Sequence, residues 1–181
     1  RWIDTTVHVL RFERGAAKRD LLWYHFSSHA VCYTDDQAGP DWPGLVATRV
    51  RETCKIAPSF LQGHCGDVNP GDGTLWIGKP EPSANAVFDA ICRAMDSMTT
   101  VRVDAIRVQT ADFAIPVDVQ RLEQWIDEYR TNPDACTADA WVDAGFAKAW
   151  FDDMTKTNIA RTHVPAALAA IGLGELGLMF H

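Results

Sequence analysis

The sequence is short of basic residues and has no closely spaced cysteines. Its 17 Lys and Arg against 24 Asp and Glu give a formal net charge of −7, so the average field repels nucleic acid and anionic lipid. Its five cysteines are odd in number, widely separated and without a CxxC pair, which argues against a structural zinc knuckle and a fully paired disulfide framework. We therefore expect buried free thiols and no nucleic-acid partner.

A long uninterrupted apolar run is also missing. The most apolar stretch, residues 164–180, is broken by Pro165, by Glu175 and by glycines, so a membrane-spanning helix is not expected there. Two apolar runs joined by residues 172–174 instead predict a hairpin of strands. Charged residues near the start break any apolar signal-peptide core. Because the chain begins at Arg1 and not at Met, we expect a processed protein or a fragment of a longer one.

What is present is enough apolar material for one ordinary core, at 47% of residues. Segments rich in β-branched and aromatic residues predict strands at 5–12, 20–33, 59–62 and 101–110, the last continuing to 117. Apolar residues at helical spacing predict helices at 43–55, 83–98 (with Ser83 as the N-cap), 118–130 and 137–159. This order predicts a single α/β domain over residues 1–181, with a mixed sheet and flanking helices in three layers.

Two histidines lie four residues apart, His25 and His29. On a helix they would share a face, but on an extended strand they lie about 13 Å apart and cannot bind one metal ion together. The aromatic context favours a strand, so at most one is a metal ligand. His29 is the better candidate because it lies near the strand's carboxyl end among the small residues Ser27, Ser28 and Ala30. Hydrogen-bonded structural histidines remain the alternative.

A glycine-rich loop, residues 62–70, follows the third predicted strand. Gly63 and Gly66 allow tight turns, while Asp67 and Asn69 can face a polar ligand or simply cap a turn. The loop has neither the Gly-Lys-Ser/Thr of a P-loop nor the spacing of a nucleophile elbow. Cys65 would form a thiolate pair with a nearby histidine, although nothing in the sequence orients an imidazole toward it.

Three segments resemble the N-terminal catalytic domain of the neutral/alkaline non-lysosomal ceramidases: VHVLRF (7–12), WYHFSSHAV (23–31) and FLQGHCGDVNP (60–70). The apolar runs at 166–178 are similar to the strand pair that precedes that family's later active-site residues. The resemblance implies a zinc ion that activates a water to attack an amide carbonyl, releasing a sphingoid base and a fatty acid. It also implies a secreted or membrane-associated protein with a small-molecule or lipid-like amide substrate.

By the same resemblance His29 is one zinc ligand and the loop forms one wall of the site. The family's other ligands come from an upstream His-x-His segment and a downstream Glu and Tyr, and no two of the six histidines here form His-x-His. The implied loop residues are Gly63, His64 and Gly66 beside the substrate, with Asp67 and Asn69 as catalytic positions.

Asn69 stands where the family has a serine, and an amide cannot become an alkoxide, though it can donate a hydrogen bond to a carbonyl. We therefore expect an interior fragment of a ceramidase-like, zinc-dependent amide hydrolase that, in isolation, binds zinc weakly and is inactive. The alternatives are a non-catalytic domain that binds a polar ligand and a thiol hydrolase using Cys65.

Overall fold

The computed structural model describes residues 3–33, 38–71, 77–138, 144–156 and 162–180. The chain divides into two compact units, Arg1–Thr99 and Thr100–His181, here the N-terminal and C-terminal units. Helices accompany two three-stranded sheets, one mixed and one antiparallel, so the α/β class predicted from the sequence is confirmed. The predicted single domain stays a prediction, and each unit is described by itself.

The N-terminal unit contains a mixed sheet in the order β1-β2-β3. Its elements are β1 His8–Phe12, β2 Leu21–Phe26, α1 Asp41–Arg49 with a π-helical continuation Val50–Cys54, β3 Ala57–Gln62 and α2 Pro80–Asp96. β2 pairs antiparallel with β1 and parallel with β3. A parallel pair needs a crossover connection, and α1 lies in that connection.

The core of this unit lies between the sheet and its two helices. β2 buries alternate residues, Leu22 and Tyr24, as expected for a strand with one face inward. The buried residues of α2 recur at helical spacing and include Ile91, which is fully buried. Trp42 of α1 packs edge-to-face against Phe60 of β3, with ring centroids 5.0 Å apart. The nine buried core residues are Leu22, Tyr24, Trp42, Val46, Val50, Ile56, Ala84, Val87 and Ile91.

The C-terminal unit contains an antiparallel sheet in the order β4-β5-β6. Its elements are β4 Ile106–Pro116, α3 Val119–Thr131, α4 Pro133–Thr137, α5 Ala144–Met154, β5 His163–Leu173 and β6 Leu176–Phe180. The Asp118 side chain caps α3 by accepting a hydrogen bond from the Arg121 amide at 3.0 Å. β5 and β6 form the predicted hairpin, which turns at Gly174 with φ 59°, a left-handed conformation that favours glycine.

Little apolar surface is buried in the C-terminal unit. Within its described residues, the buried hydrophobic side chains are Ile126, Tyr129 and Leu173. Every residue of β4 is exposed, including Ile106 at 68%. The Tyr129 ring stacks on Phe151 with centroids 4.6 Å apart, and this contact joins α3 to α5.

Several element boundaries differ from the sequence-based expectation. The strand predicted at 20–33 ends at Phe26, because its partner β3 ends at Gln62 in the same register and leaves no ladder beyond it. Ser83 does not cap α2, which begins at Pro80 after the N-cap Lys79; the Ser83 hydroxyl instead donates to the Lys79 carbonyl. The helix predicted at 137–159 lies partly outside the described residues and is represented by α5.

All five cysteines are free, but they are half-buried and not buried as expected. Within the described ranges, no helix combines the length and apolar composition needed to cross a bilayer.

Candidate functional site

The candidate site lies at the edge of the N-terminal sheet where β2 and β3 both end. The two strands are parallel and in register to Phe26 opposite Gln62, so the segments that follow them leave the sheet side by side. The Gly63 amide donates to the Phe26 carbonyl at 3.0 Å, and the His29 amide donates to the Val68 carbonyl at 2.9 Å. The predicted loop and the predicted histidine are therefore neighbours.

The hydrogen bonds of the His29 ring determine which nitrogen carries the proton. Nε2 lies 2.9 Å from the carbonyl oxygen of Gly66, and a carbonyl can only accept. Nε2 therefore donates, and in the neutral ring Nδ1 carries the bare lone pair. The Sγ of Cys65 lies 3.3 Å from Nδ1, where its S–H group can donate to that lone pair.

The backbone of His29 is tied to the hydrophobic core. The indole N–H of Trp42 donates to the His29 carbonyl at 2.8 Å, and Trp42 itself is only 1% exposed. The Gln62 side-chain amide donates to the carbonyls of Ser28 and Gly63, both at 3.1 Å. These bonds connect the segment after β2 to the end of β3, so the backbone that carries the His29 imidazole is held in position.

The two loop glycines occupy positions with different steric demands. A Cβ atom at Gly63 would lie 2.6 Å from Nε2 of His25 and would also collide with the Ser27 hydroxyl. Gly66 has φ +33°, which favours glycine, and its surroundings are open. The close packing at Gly63 brings the loop against β2, and the turn at Gly66 directs its carbonyl to His29.

The other predicted loop residues lie on the same segment. His64 and Asp67 are exposed and Asn69 is half-buried, and each of the three makes a polar, ring or electrostatic interaction. The carbonyl of the buried residue Pro70 accepts a hydrogen bond from the Gly78 amide at 2.7 Å. The catalytic roles of Asp67 and Asn69 stay predictions, as do the contacts of Gly63, His64 and Gly66 with substrate.

His25 occupies a different environment from His29. It lies within β2 opposite His8 on β1, and the two rings are 5.6 Å apart. Its Nδ1 is buried without a hydrogen-bond partner in the described structure. Burial lowers the pKa of His25, and positive charge on His8 and His64 adds to that effect, whereas Asp4 opposes it. Its environment therefore favours the neutral form of His25, and His29 is the histidine in contact with the loop thiol.

Sequence reasoning named Cys65 as a candidate thiol but did not identify its histidine partner, and it missed Trp42. The contact of Cys65 with His29 joins residues 36 positions apart and depends on the register of two parallel strands, which local patterns do not reveal. Trp42 lies just before the helix predicted at 43–55, so its role beneath His29 was not anticipated. The available signal was the parallel β2-α1-β3 order, which brings both strand ends to one edge.

The donor set supports one part of a metal site. Metal-ligating histidines commonly donate their second ring N–H to a backbone carbonyl, and the bond from Nε2 to Gly66 is of this kind. Cys65 places a soft sulfur beside the remaining nitrogen. Among the residues that the structure describes, no group of three or more His, Cys, Asp or Glu is arranged to hold a metal ion. His29 therefore fits the ligand role, and additional donors are needed to complete a site.

Comparisons with protein-family models, curated proteins and solved structures found no match to this chain.

Proposed function

We propose that this chain forms part of a zinc-dependent hydrolase, similar to the ceramidases, that cleaves an N-acyl amide bond. The supporting observation is spatial. The three segments that carry the resemblance supply β1, β2 and β3 with its following loop, which are neighbours in a single sheet. The histidine that the resemblance makes a ligand is bonded to that loop through both its backbone and its ring.

In this proposal His29 binds the metal through Nδ1, while Nε2–H remains bonded to the Gly66 carbonyl and fixes the ring orientation. A bound zinc supplies a Lewis acid and a water whose pKa is lowered to about 7. The resemblance implies that the remaining ligands come from segments other than those matched here. The chain's own contribution is one oriented imidazole and the loop beside it.

The loop side chains bind and orient the amide. Asn69 donates a hydrogen bond from its side-chain amide to the substrate carbonyl, a role that needs no ionisation. Asp67 orients the attacking water or the leaving amine. The backbone at Gly63, His64 and Gly66 forms one wall of the substrate site. The substrate class is an amide with a lipid-like acyl chain, and a sphingolipid is the member that the resemblance implies.

The test measures zinc content by mass spectrometry and hydrolysis of a panel of N-acyl amides, including an N-acyl sphingosine. His29→Ala is expected to weaken zinc binding by about tenfold or more, because a direct ligand is lost. His163→Ala, which removes an exposed imidazole on β5, is the matched control and retains zinc. If His29→Ala leaves zinc content and hydrolysis unchanged, the metal role of this residue is wrong.

A second candidate is a thiol hydrolase, favoured by the 3.3 Å contact between Cys65 and His29. In this reaction Cys65 gives its proton to Nδ1, and the thiolate attacks the amide carbon. The amine leaves with the proton from His29, and water then hydrolyses the thioester to the acid and the free thiol. Loss of turnover in Cys65→Ser with metal binding unchanged would support this chemistry, whereas loss of turnover on chelation would support the zinc enzyme.

A further inference from the structure

We propose that Cys65 is itself a metal ligand, so that its Sγ and Nδ1 of His29 form adjacent corners of one zinc site. This inference rests on the proposed metal-dependent function and adds a ligand to it. The resemblance implies only histidine, glutamate and tyrosine ligands, so a cysteine is not among those it supplies. A ligand pair of one nitrogen and one sulfur prefers the borderline and soft metal ions.

The observed separation suits shared coordination. In a tetrahedral zinc site with Zn–S of about 2.3 Å and Zn–N of about 2.0 Å, the sulfur and nitrogen lie about 3.5 Å apart. Sγ and Nδ1 are 3.3 Å apart in the structure. Binding replaces the thiol proton with the metal ion and releases that proton to solvent. The observed separation of sulfur and nitrogen thus differs from that of a tetrahedral zinc site by only a few tenths of an ångström.

The loop supplies one donor and contacts the other. Cys65 and Gly66 are consecutive, and the Gly66 carbonyl takes the Nε2 proton while Cys65 faces Nδ1. The His29 amide is bonded to Val68 of the same loop. One short segment therefore fixes the backbone and both ring nitrogens of His29. Cys65 is half-buried, so an ion from solvent can reach its sulfur.

The three other thiols of this unit have different neighbours. Burial, together with the negative charge of Asp41, raises the pKa of Cys32 to about 11. Burial raises the pKa of Cys92, which also contacts Cys54. The pair Cys54 and Cys92 is therefore the principal competing thiol site, and a decisive test has to separate it from Cys65.

The experiment titrates the full chain with Co²⁺, which replaces zinc in sites of this type and gives a near-ultraviolet charge-transfer band only when a thiolate binds it. The wild-type protein is expected to show the band. Cys65→Ser is expected to lose it, and His29→Ala to weaken cobalt binding by about tenfold or more. Cys92→Ser is the matched control and retains the band. Circular dichroism checks that each variant is folded.

A second measurement covers the case in which Cys65→Ser does not fold. In the wild-type protein, zinc is expected to slow alkylation of Cys65 by iodoacetamide at least about tenfold, while Cys136 reacts equally fast with and without zinc. Peptide mass spectrometry resolves the two sites.

The outcomes separate this inference from the function on which it rests. A charge-transfer band that persists in Cys65→Ser, or that Cys92→Ser removes, overturns the role of Cys65. Cobalt binding that depends on His29 but shows no thiolate band also overturns it, while leaving the proposed function intact. Undiminished binding in His29→Ala, with the band still present, contradicts the proposed function.

Discussion

Over the residues that the structure describes, the two units contain the same number of strands but differ in how they bury them. The N-terminal sheet is covered by α1 and α2, and Leu22 and Tyr24 on its central strand are at most 1% exposed. In the C-terminal sheet every residue of β4 is exposed. The candidate site projects from the sheet that has its own core. Packing, and not the number of strands, therefore distinguishes the unit that can hold side chains in a fixed arrangement.

Strand direction accounts for part of this difference. The parallel pairing of β2 with β3 requires a crossover, and its helix α1 packs on the sheet. The β4-β5-β6 sheet is wholly antiparallel, and its longer pairing joins two strands of 11 residues, β4 and β5, through backbone hydrogen bonds. An antiparallel sheet can leave a face in contact with water, whereas the helices of a parallel crossover cover the sheet.

The largest effect is expected from a matched pair of isoleucines. Ile91→Ala removes a fully buried side chain and should lower the free energy of unfolding of the N-terminal unit by about 2–5 kcal/mol. Ile106→Ala removes a side chain that is 68% exposed and should cost about 1 kcal/mol or less. Hydrogen exchange read by mass spectrometry assigns each loss to its unit. Equal losses would show that the contrast in burial does not determine stability.

A smaller effect is expected from a matched pair of glycines. Gly63→Ala places a methyl group against Ser27 and His25, and should destabilise the N-terminal unit by about 1–3 kcal/mol. Gly177→Ala on β6 meets nothing within 4 Å and should be nearly neutral. Chemical denaturation compares the two. A neutral Gly63→Ala would mean that the loop can move away from β2 without cost.

The smallest effect concerns pH. Because burial lowers the pKa of His25 below its ordinary 6.5, the unfolded chain binds the proton more tightly than the folded one. The stability contribution is thus fully present above pH 6.5 and is lost as the pH falls below it. Denaturation at several pH values should show this loss in the N-terminal unit, and it should be reduced in His25→Gln. His163→Gln in the C-terminal unit serves as the control, and an unchanged pH profile in His25→Gln would contradict the assignment.

Much of the architecture was predictable because it depends on local patterns. The α/β class, most helices and the 164–180 hairpin follow from apolar spacing and glycine placement. His29 was predicted near the carboxyl end of a strand over 20–33, whereas it lies beyond β2, which ends at Phe26. The prediction for β4 is less complete, since the strand expected at 101–117 begins only at Ile106 and the structure exposes both of its faces.

The contacts within the candidate site could not be predicted in this way. The approach of Cys65 to His29 requires the β2–β3 register, and the support from Trp42 requires the position of α1 beneath the sheet edge. Both are long-range relationships. The orientation of the His29 ring can be inferred only once the position of the Gly66 carbonyl is known.

The parallel register of β2 and β3 also has a consequence for the time course of folding. Partners in this ladder are 36 residues apart, as Leu21 opposite Ala57 shows, whereas β1 and β2 meet through a short connection. Closing the larger loop carries the greater entropic cost and tends to be slow. The thiol and the imidazole therefore meet only after this late pairing step. During refolding, the contact of Cys65 with His29, read by the slowing of Cys65 alkylation, should develop after the β1–β2 amides are already protected from exchange.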